Sequence, residues 1–452
     1  MRTLVHARSI GLVLLALGPP VAAFSQPSPA RLALVGGMLL DGYEVPPLHH
    51  AAILIEGDRI AWVGRAADAK IPAGATVIDT SGRTMLPGLM DLHVHLMILG
   101  HGNYDRWFPW IAKTGVERVM EVSAKQLLDA GVTTAVDLSA PLKESLSVRD
   151  RIERGELPGP RMLMSGPWIT QQLASYPPEL AFQVKAETPE QAAAEVRRLA
   201  RAGVDVIKAY PMSRAHYARV VEAAREHRLR VHAHVYAEQQ VRDALEAGID
   251  VLTHAGSAGT TPPYSAELIR DIVNAGRPVV VTAAHRSWVF PDTVAFPERL
   301  QDPQLKKDFP PDIWHEVQDS LRNWHALPYF QRADREVFFR ERGLKQFIES
   351  GAVMGMGTDS GTPMNFHTEA LWREIKAHVD MGMPALRAIS AATRINARII
   401  GRGAELGTIE PGKLADVIVV NGDPLFSVTA LARVEIVVKD GVVRKGGGPP
   451  AR

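Results

Sequence analysis

Between residues 86 and 358 the chain alternates short apolar runs with amphipathic stretches, and this rhythm limits the fold more than any other feature. The apolar runs fall at 86–95, 133–138, 161–165, 204–210, 229–236, 250–254, 278–283 and 353–358. Between them, 117–130, 189–202, 214–227 and 238–247 have helical spacing. Thr188-Pro189-Glu190-Gln191 starts one helix well: Thr188 can cap, Pro189 suits the first helical position, and Gln191 can complete a capping box. Glycines at 131, 203, 248, 276 and 351 stop helices just before the next strand. Eight strand–helix units predict an α/β fold, a (β/α)8 TIM barrel over residues 86–402. A doubly wound open sheet is the architectural alternative.

Both flanks are β-rich. Apolar runs at 32–35, 52–56, 59–63 and 76–79 precede the barrel, with Gly57-Asp58 as a hairpin turn. Runs at 416–420 and 434–439 follow it, and Asp440-Gly441 turns into Val442-Val443. The expectation is a small composite β-sandwich domain formed by both chain ends, residues 30–85 with 403–446. Two unrelated β tails are the plainer alternative. The rhythm breaks once, over roughly 65 residues between the seventh and eighth strands. That interval holds Trp288, Phe290, Phe296, Phe309, Trp314, Trp324, Tyr329 and Phe330. It reads as a partly helical insertion or lid over 285–337 at the barrel mouth, unless its aromatics form a small core of their own.

Composition removes several function classes. The 452 residues carry 51 basic and 50 acidic side chains, so bulk charge gives no argument for nucleic acid. The absence of cysteine excludes disulfides, thiolate ligands and a cysteine nucleophile. At the N-terminus, Arg2, His6 and Arg8 precede the apolar stretch from Ile10 to Leu17, and Val21-Ala22-Ala23-Phe24-Ser25 follows. This reads as a signal peptide over 1–25, cleaved between about Ala23 and Gln26. The mature protein is then periplasmic or secreted and makes no membrane contact. A retained anchor is the alternative, and a homo-oligomer is compatible with the sequence.

In a TIM barrel, chemistry sits at the carboxyl ends of the strands. The first strand ends in Asp91-Leu92-His93-Val94-His95, and alternation points His93 and His95 the same way. Two imidazoles on one face can bind a divalent ion. Lys208, His234, His254 and Asp359 fall at or near the ends of the fourth, fifth, sixth and eighth strands. A lone histidine in an apolar strand is usually a core residue, but six metal-competent positions converge here. His232 competes with His234 and shares its face. Arg161, near the start of the third strand, belongs at the opposite end and is structural.

The chain resembles the amidohydrolase superfamily, in particular its prolidase and imidazolonepropionase-related branch. The matching text is Leu86-Pro87-Gly88-Leu89-Met90-Asp91-Leu92-His93-Val94-His95, Asp205-Val206-Ile207-Lys208-Ala209-Tyr210, His234-Val235-Tyr236, Leu252-Thr253-His254, Gly357-Thr358-Asp359-Ser360-Gly361, and the stretch from Leu406 to Asp416. The resemblance runs from about residue 30 to 445. It implies two divalent ions, zinc being the expected metal. His93, His95 and Asp359 would hold the more buried ion, and His234 and His254 the second. Lys208 would be carboxylated by carbon dioxide and bridge both. An ammonium beside two dications would be repelled, whereas a carbamate supplies anionic oxygens.

The implied reaction is hydrolysis of an amide bond in a small molecule, a dipeptide or an N-acyl amino acid, by a metal-bridging hydroxide. Asp359 would move the proton and Tyr236 would donate to the carbonyl oxygen, with Tyr210 a weaker candidate. His367, on the loop after the eighth strand, is expected either to touch substrate or to be a solvated loop residue. Many relatives carry a glycine- and histidine-rich loop after the third strand. Here that stretch is Gly166-Pro167-Trp168-Ile169-Thr170-Gln171-Gln172, without histidine, which puts the usual substrate contacts in doubt. Lactone, ester or cyclic-amide hydrolysis is the alternative activity, deamination a further one, and a non-catalytic periplasmic binding protein the non-enzymatic reading.

Overall fold

The structure is a computed structural model. It describes residues 31–446 apart from 175, 177, 258–262, 307–308, 328–330 and 332, and without the side chains of 333–341. The signal-peptide reading of residues 1–25, and Tyr329 and Phe330 of the aromatic set, therefore lie outside the described residues.

Eight parallel strands form a closed ring: Leu89–Val94, Val132–Asp137, Arg161–Met164, Val206–Ala209, Arg230–His234, Val251–Thr253, Val279–Val280 and Met354–Gly355. The third joins the fourth through Asp205, whose N–H donates to the Met164 carbonyl at 2.9 Å and whose carboxylate accepts from the Met164 N–H at 2.9 Å. The eighth returns to the first: Leu92 N–H donates to Met356 O at 3.0 Å, and Asp359 N–H to His93 O at 2.8 Å. Seven of the eight lie inside the apolar runs read from the sequence, and the second begins one residue early, at Val132. Leu92, Val136, Val206, Val251 and Val280 form one buried cluster. Residues from five strands of a ring meet this way only across its interior, so the barrel is a packed core.

Local chemistry sets the helices between strands. Pro189–Ala202 begins with the capping box: Gln191 N–H donates to Thr188 Oγ1, and the Gln191 side chain accepts from Thr188 N–H, both at 3.2 Å. It ends at Gly203, whose φ of 93° is a left-handed turn that a side chain would strain.

The flanks make two further sheets. One has the order Arg59–Arg65, Ala51–Glu56, Arg31–Val35, Thr76–Asp79. The other has the order Val442–Lys445, Val434–Lys439, Val417–Asn421, Arg83–Pro87, Met38–Leu39. In the second sheet the two chain ends pair directly, Arg83–Pro87 running antiparallel to Val417–Asn421. Side chains from both sheets, including Leu34, Ile53, Met85, Val417, Val419 and Ile436, share one apolar cluster. Arg161 ties the barrel to this layer: it donates to Asp416 Oδ2 at 2.8 Å, to Thr134 Oγ1 at 3.1 Å, and also to Asp440. It stands at the end of the barrel away from the metal-competent residues.

Between the seventh and eighth strands run one π-helical turn, His285–Val289, and the helices Phe290–Ala295, Pro303–Lys306 and Pro311–Ser320. The last packs beside the helix Tyr104–Thr114, where Arg106 donates to Glu316 and, at 3.0 Å, to Asp319.

Candidate metal centre and cavity

His93 and His95 leave the first strand on one face, as strand alternation requires, and both turn toward Asp359. His95 Nε2 lies 3.0 Å from Asp359 Oδ1, and His93 Nε2 lies 3.5 Å from the same oxygen. These three offer ligand atoms within 4.8 Å of one another. Asp359 sits just past the eighth strand with φ of 59°, a left-handed conformation that costs a non-glycine residue on the order of 1 kcal/mol. Strain of that kind is typical of side chains held for function.

His93 tests whether the residues fit a metal. It is fully buried, yet neither ring nitrogen has a hydrogen-bond partner among the described residues. Leaving both unsatisfied is costly, and a cation would satisfy one of them. Asp91 fixes the strand behind it, accepting from His93 N–H at 3.0 Å and from the Thr358 hydroxyl at 2.6 Å. Burial pulls the His93, His234 and His254 imidazoles well below their ordinary value, so they stay neutral, as ligands must. Burial raises the Asp359 carboxyl, but the His95 hydrogen bond opposes this, and the net direction is well below the ordinary carboxylate value.

The second group lies beside the first. The His254 ring centroid is 4.5 Å from that of His93 and 4.3 Å from that of His234. His254 also occupies the left-handed region, with φ of 68°, and its Nδ1 bonds Thr282 Oγ1 at 2.8 Å. Lys208, wholly buried, points its Nζ at Thr253 Oγ1, 2.9 Å away. Burial lowers its pKa to about 7, with Asp359 opposing, so much of the amine is neutral near neutral pH. Neutral amine is the form that adds carbon dioxide.

All of these except His93 line one cavity of about 730 Å³, counting its open mouth. Tyr236 lines it too, its ring stacked on His254 at 5.2 Å. Tyr210 lies flat against His234 at 4.1 Å. His232 is buried in register with Lys208 and does not line the cavity.

Two expectations need correction. His367 is neither a substrate contact nor solvated: it is buried, bonding Ser360 Oγ at 2.8 Å and Ile98 O at 3.0 Å, and so pins two loops together. The aromatic wall of the cavity does not come chiefly from the insertion after the seventh strand. Of the named insertion aromatics that are described, only Phe290 lines the cavity, while Phe309 and Trp314 pack on each other at 5.1 Å. The wall is instead Tyr104 and Phe108, after the first strand, with Trp168, Tyr176 and Phe182, after the third. The histidine-free stretch after the third strand reaches the cavity through a different side chain. It forms the short strand Trp168–Thr170, paired with Gln183–Lys185, which presents Trp168 to the cavity.

Sequence reasoning missed His285 and Arg286. Both line the cavity from the π-helical turn after the seventh strand. His285 Nε2 is 3.6 Å from Asp359 Oδ2, and the Arg286 guanidinium lies 5.3 Å from the Tyr236 ring centroid. Their signal was position, two and three residues past a predicted strand end that carries no other ionisable group.

Comparison with known proteins agrees with this geometry. The model of the amidohydrolase family matches residues 84–444. The chain belongs to the amidohydrolase family. Within this family the chain offers His93, His95 and Asp359 as its candidate metal site. An imidazolonepropionase of Paenarthrobacter aurescens is 46% identical over 66 residues, 15% of this chain and 16% of that protein. The chain thus matches only about a sixth of that curated relative's length. A 5-methylthioadenosine/S-adenosylhomocysteine deaminase of Symbiobacterium thermophilum is 24% identical across 87% of this chain and 86% of its own. Among solved structures, a Bifidobacterium longum protein assigned as a prolidase has 26% identity and a TM-score of 0.72, covering 94% of this chain and 97% of its own.

Proposed function

We propose that the protein hydrolyses an amide bond of a small molecule, a dipeptide or N-acyl amino acid, with two divalent ions, zinc by expectation, at the barrel mouth. The observation that carries this reading is His93, fully buried with no hydrogen-bond partner for either nitrogen among the described residues, beside His95 and Asp359. His93, His95 and Asp359 would hold one ion and His234 and His254 the other, with carboxylated Lys208 between them. Divalent ions so held supply Lewis acidity, which polarises a carbonyl and makes water acidic near neutral pH. The chain does the rest. Asp359, ionised and open to the cavity, takes the proton of the attacking water and returns it to the leaving nitrogen. Tyr236, stacked on His254, donates its hydroxyl to the carbonyl oxygen as charge develops there.

Elemental analysis followed by turnover of dipeptides, N-acyl amino acids, lactones and an aminopurine nucleoside tests the reading. Metal-dependent release of amino acid is expected. Turnover confined to lactones would transfer the proposal to the ester-type alternative, and turnover confined to the nucleoside to deamination, the activity named for the full-length relative. No turnover with a full metal complement would leave a binding protein. We also propose export to the periplasm or medium, in which case the mature chain begins between residues 24 and 27 on N-terminal sequencing. A native-host protein starting at Met1 would contradict it.

A further inference from the structure

Two chemically different walls face each other across the cavity. One consists of five rings in mutual contact. Phe108 meets Tyr104 at 5.2 Å, Tyr176 at 4.9 Å and Phe182 at 5.2 Å, and Phe182 meets Trp168 at 5.3 Å. These stacked, tilted and edge-on pairs line one side of the cavity with a box of aromatic surface against which another flat ring can pack. The box is joined to the catalytic centre by a ladder of flat contacts. Trp168 stacks on Tyr210 at 4.4 Å, and Tyr210 on His234 at 4.1 Å.

The other wall, where Phe290 and Tyr236 also stand, carries the cation Arg286. Arg286 stands after the seventh strand, over Tyr236 and next to His285. Trp168, Tyr176 and Phe182 follow the third strand, and in a ring of eight the third and seventh strands are diametrically opposed. The metal-competent residues lie between the two walls. A carboxylate is the substrate group that an arginine at such a mouth recognises most strongly. In a dipeptide or N-acyl amino acid the free carboxylate belongs to the amine half, so the acyl half must lie toward the ring box.

We infer that the cavity selects amides whose acyl half carries an aromatic group and whose amine half carries a carboxylate, the five-ring box taking the first and Arg286 the second. This rests on the amidase reading above, and it names the substrate class for that same site.

The test uses the metal-loaded full chain. Its probes are the non-hydrolysable ketomethylene analogues of N-phenylacetylglycine and N-acetylglycine, and the phenyl ketone lacking the carboxylate, with binding measured by calorimetry. The phenyl analogue should bind about tenfold or more tightly than the acetyl analogue. Tyr176→Leu and Phe108→Leu should each reduce that ratio severalfold. Arg286→Leu should weaken the phenyl analogue about tenfold or more yet barely change binding of the ketone without a carboxylate. In turnover, the same Arg286 variant should raise KM for N-phenylacetylglycine more than it lowers kcat. Equal binding of the phenyl and acetyl analogues would overturn the ring-box assignment. An Arg286 variant that weakens both phenyl probes alike would overturn the carboxylate assignment. Selective binding without any amide turnover would defeat the amidase reading and leave the two-walled pocket standing, whereas turnover without selectivity would do the reverse.

Discussion

The two oxygens of Asp359 face different partners: Oδ1 is 3.0 Å from His95 Nε2, while Oδ2 is 3.6 Å from His285 Nε2. The carboxylate thus joins the candidate metal ligands to a histidine outside the metal set. A proton taken up on Oδ2 has a place to go. His285→Asn should leave metal content near that of wild type and lower kcat by about 10²-fold. Steady-state kinetics alongside elemental analysis would decide this, since lost metal would make His285 a ligand.

The paired variant His93→Ala, His95→Ala should bring bound zinc from about two ions per chain to one or fewer and abolish turnover. Plasma emission spectrometry of protein expressed with ample zinc gives the count. A wild-type protein free of metal under those conditions would refute the centre.

Lys208 offers a sharper test. Lys208→Ala should lose activity and part of the metal, and a small carboxylic acid with added zinc should restore some turnover. Lys208→Arg keeps the positive charge but cannot form a carbamate, so it should be inactive as well. Full activity in either variant would reduce the centre to one ion on His93, His95 and Asp359.

Glu374 predicts a pH effect on stability. Burial lifts its carboxyl to about 8, against the backbone N–H groups of Ala284 and Ala283 that it accepts at 2.7 and 2.9 Å. A folded-state pKa above the unfolded value means the folded chain holds the proton more tightly. That contribution is complete below about 4.5 and is lost as pH rises through about 8. The urea midpoint of wild type should therefore fall over this range, and that of Glu374→Gln should fall less. Equal slopes would show that Glu374 titrates normally.

Arg161 reaches two acids of the C-terminal sheet while only 16% of its side chain is exposed. Arg161→Ala leaves the buried Asp416 without that partner, and the expected loss is about 3 kcal/mol of stability. Chemical denaturation measures it, and zinc content should not change.

The barrel was legible because its signals are local. Continuous apolar runs, glycine stops and the cap at Thr188 each act within a few residues, and strand alternation alone places His93 beside His95. The cavity wall was not legible. Aromatic content drew the expectation to the insertion after the seventh strand, but Tyr104, Phe108, Tyr176 and Phe182 lie on segments whose facing is set by tertiary packing. His285 was hidden in the same way, since a π-helical turn leaves no periodicity to read. His367 looked like a loop residue by sequence and is buried only because the first-strand loop folds over it through Ile98.

The pairing of Arg83–Pro87 with Val417–Asn421 joins segments separated by about 330 residues. A chain emerging from the ribosome makes the first partner about 330 residues before the second. Until then Arg83–Pro87 has an open edge, the kind of surface that invites pairing between chains. Closing so distant a contact is slow. Removing the chain from Val417 onward would therefore leave an exposed strand next to the barrel, and the expected fate is aggregation during synthesis, before any question of catalysis arises.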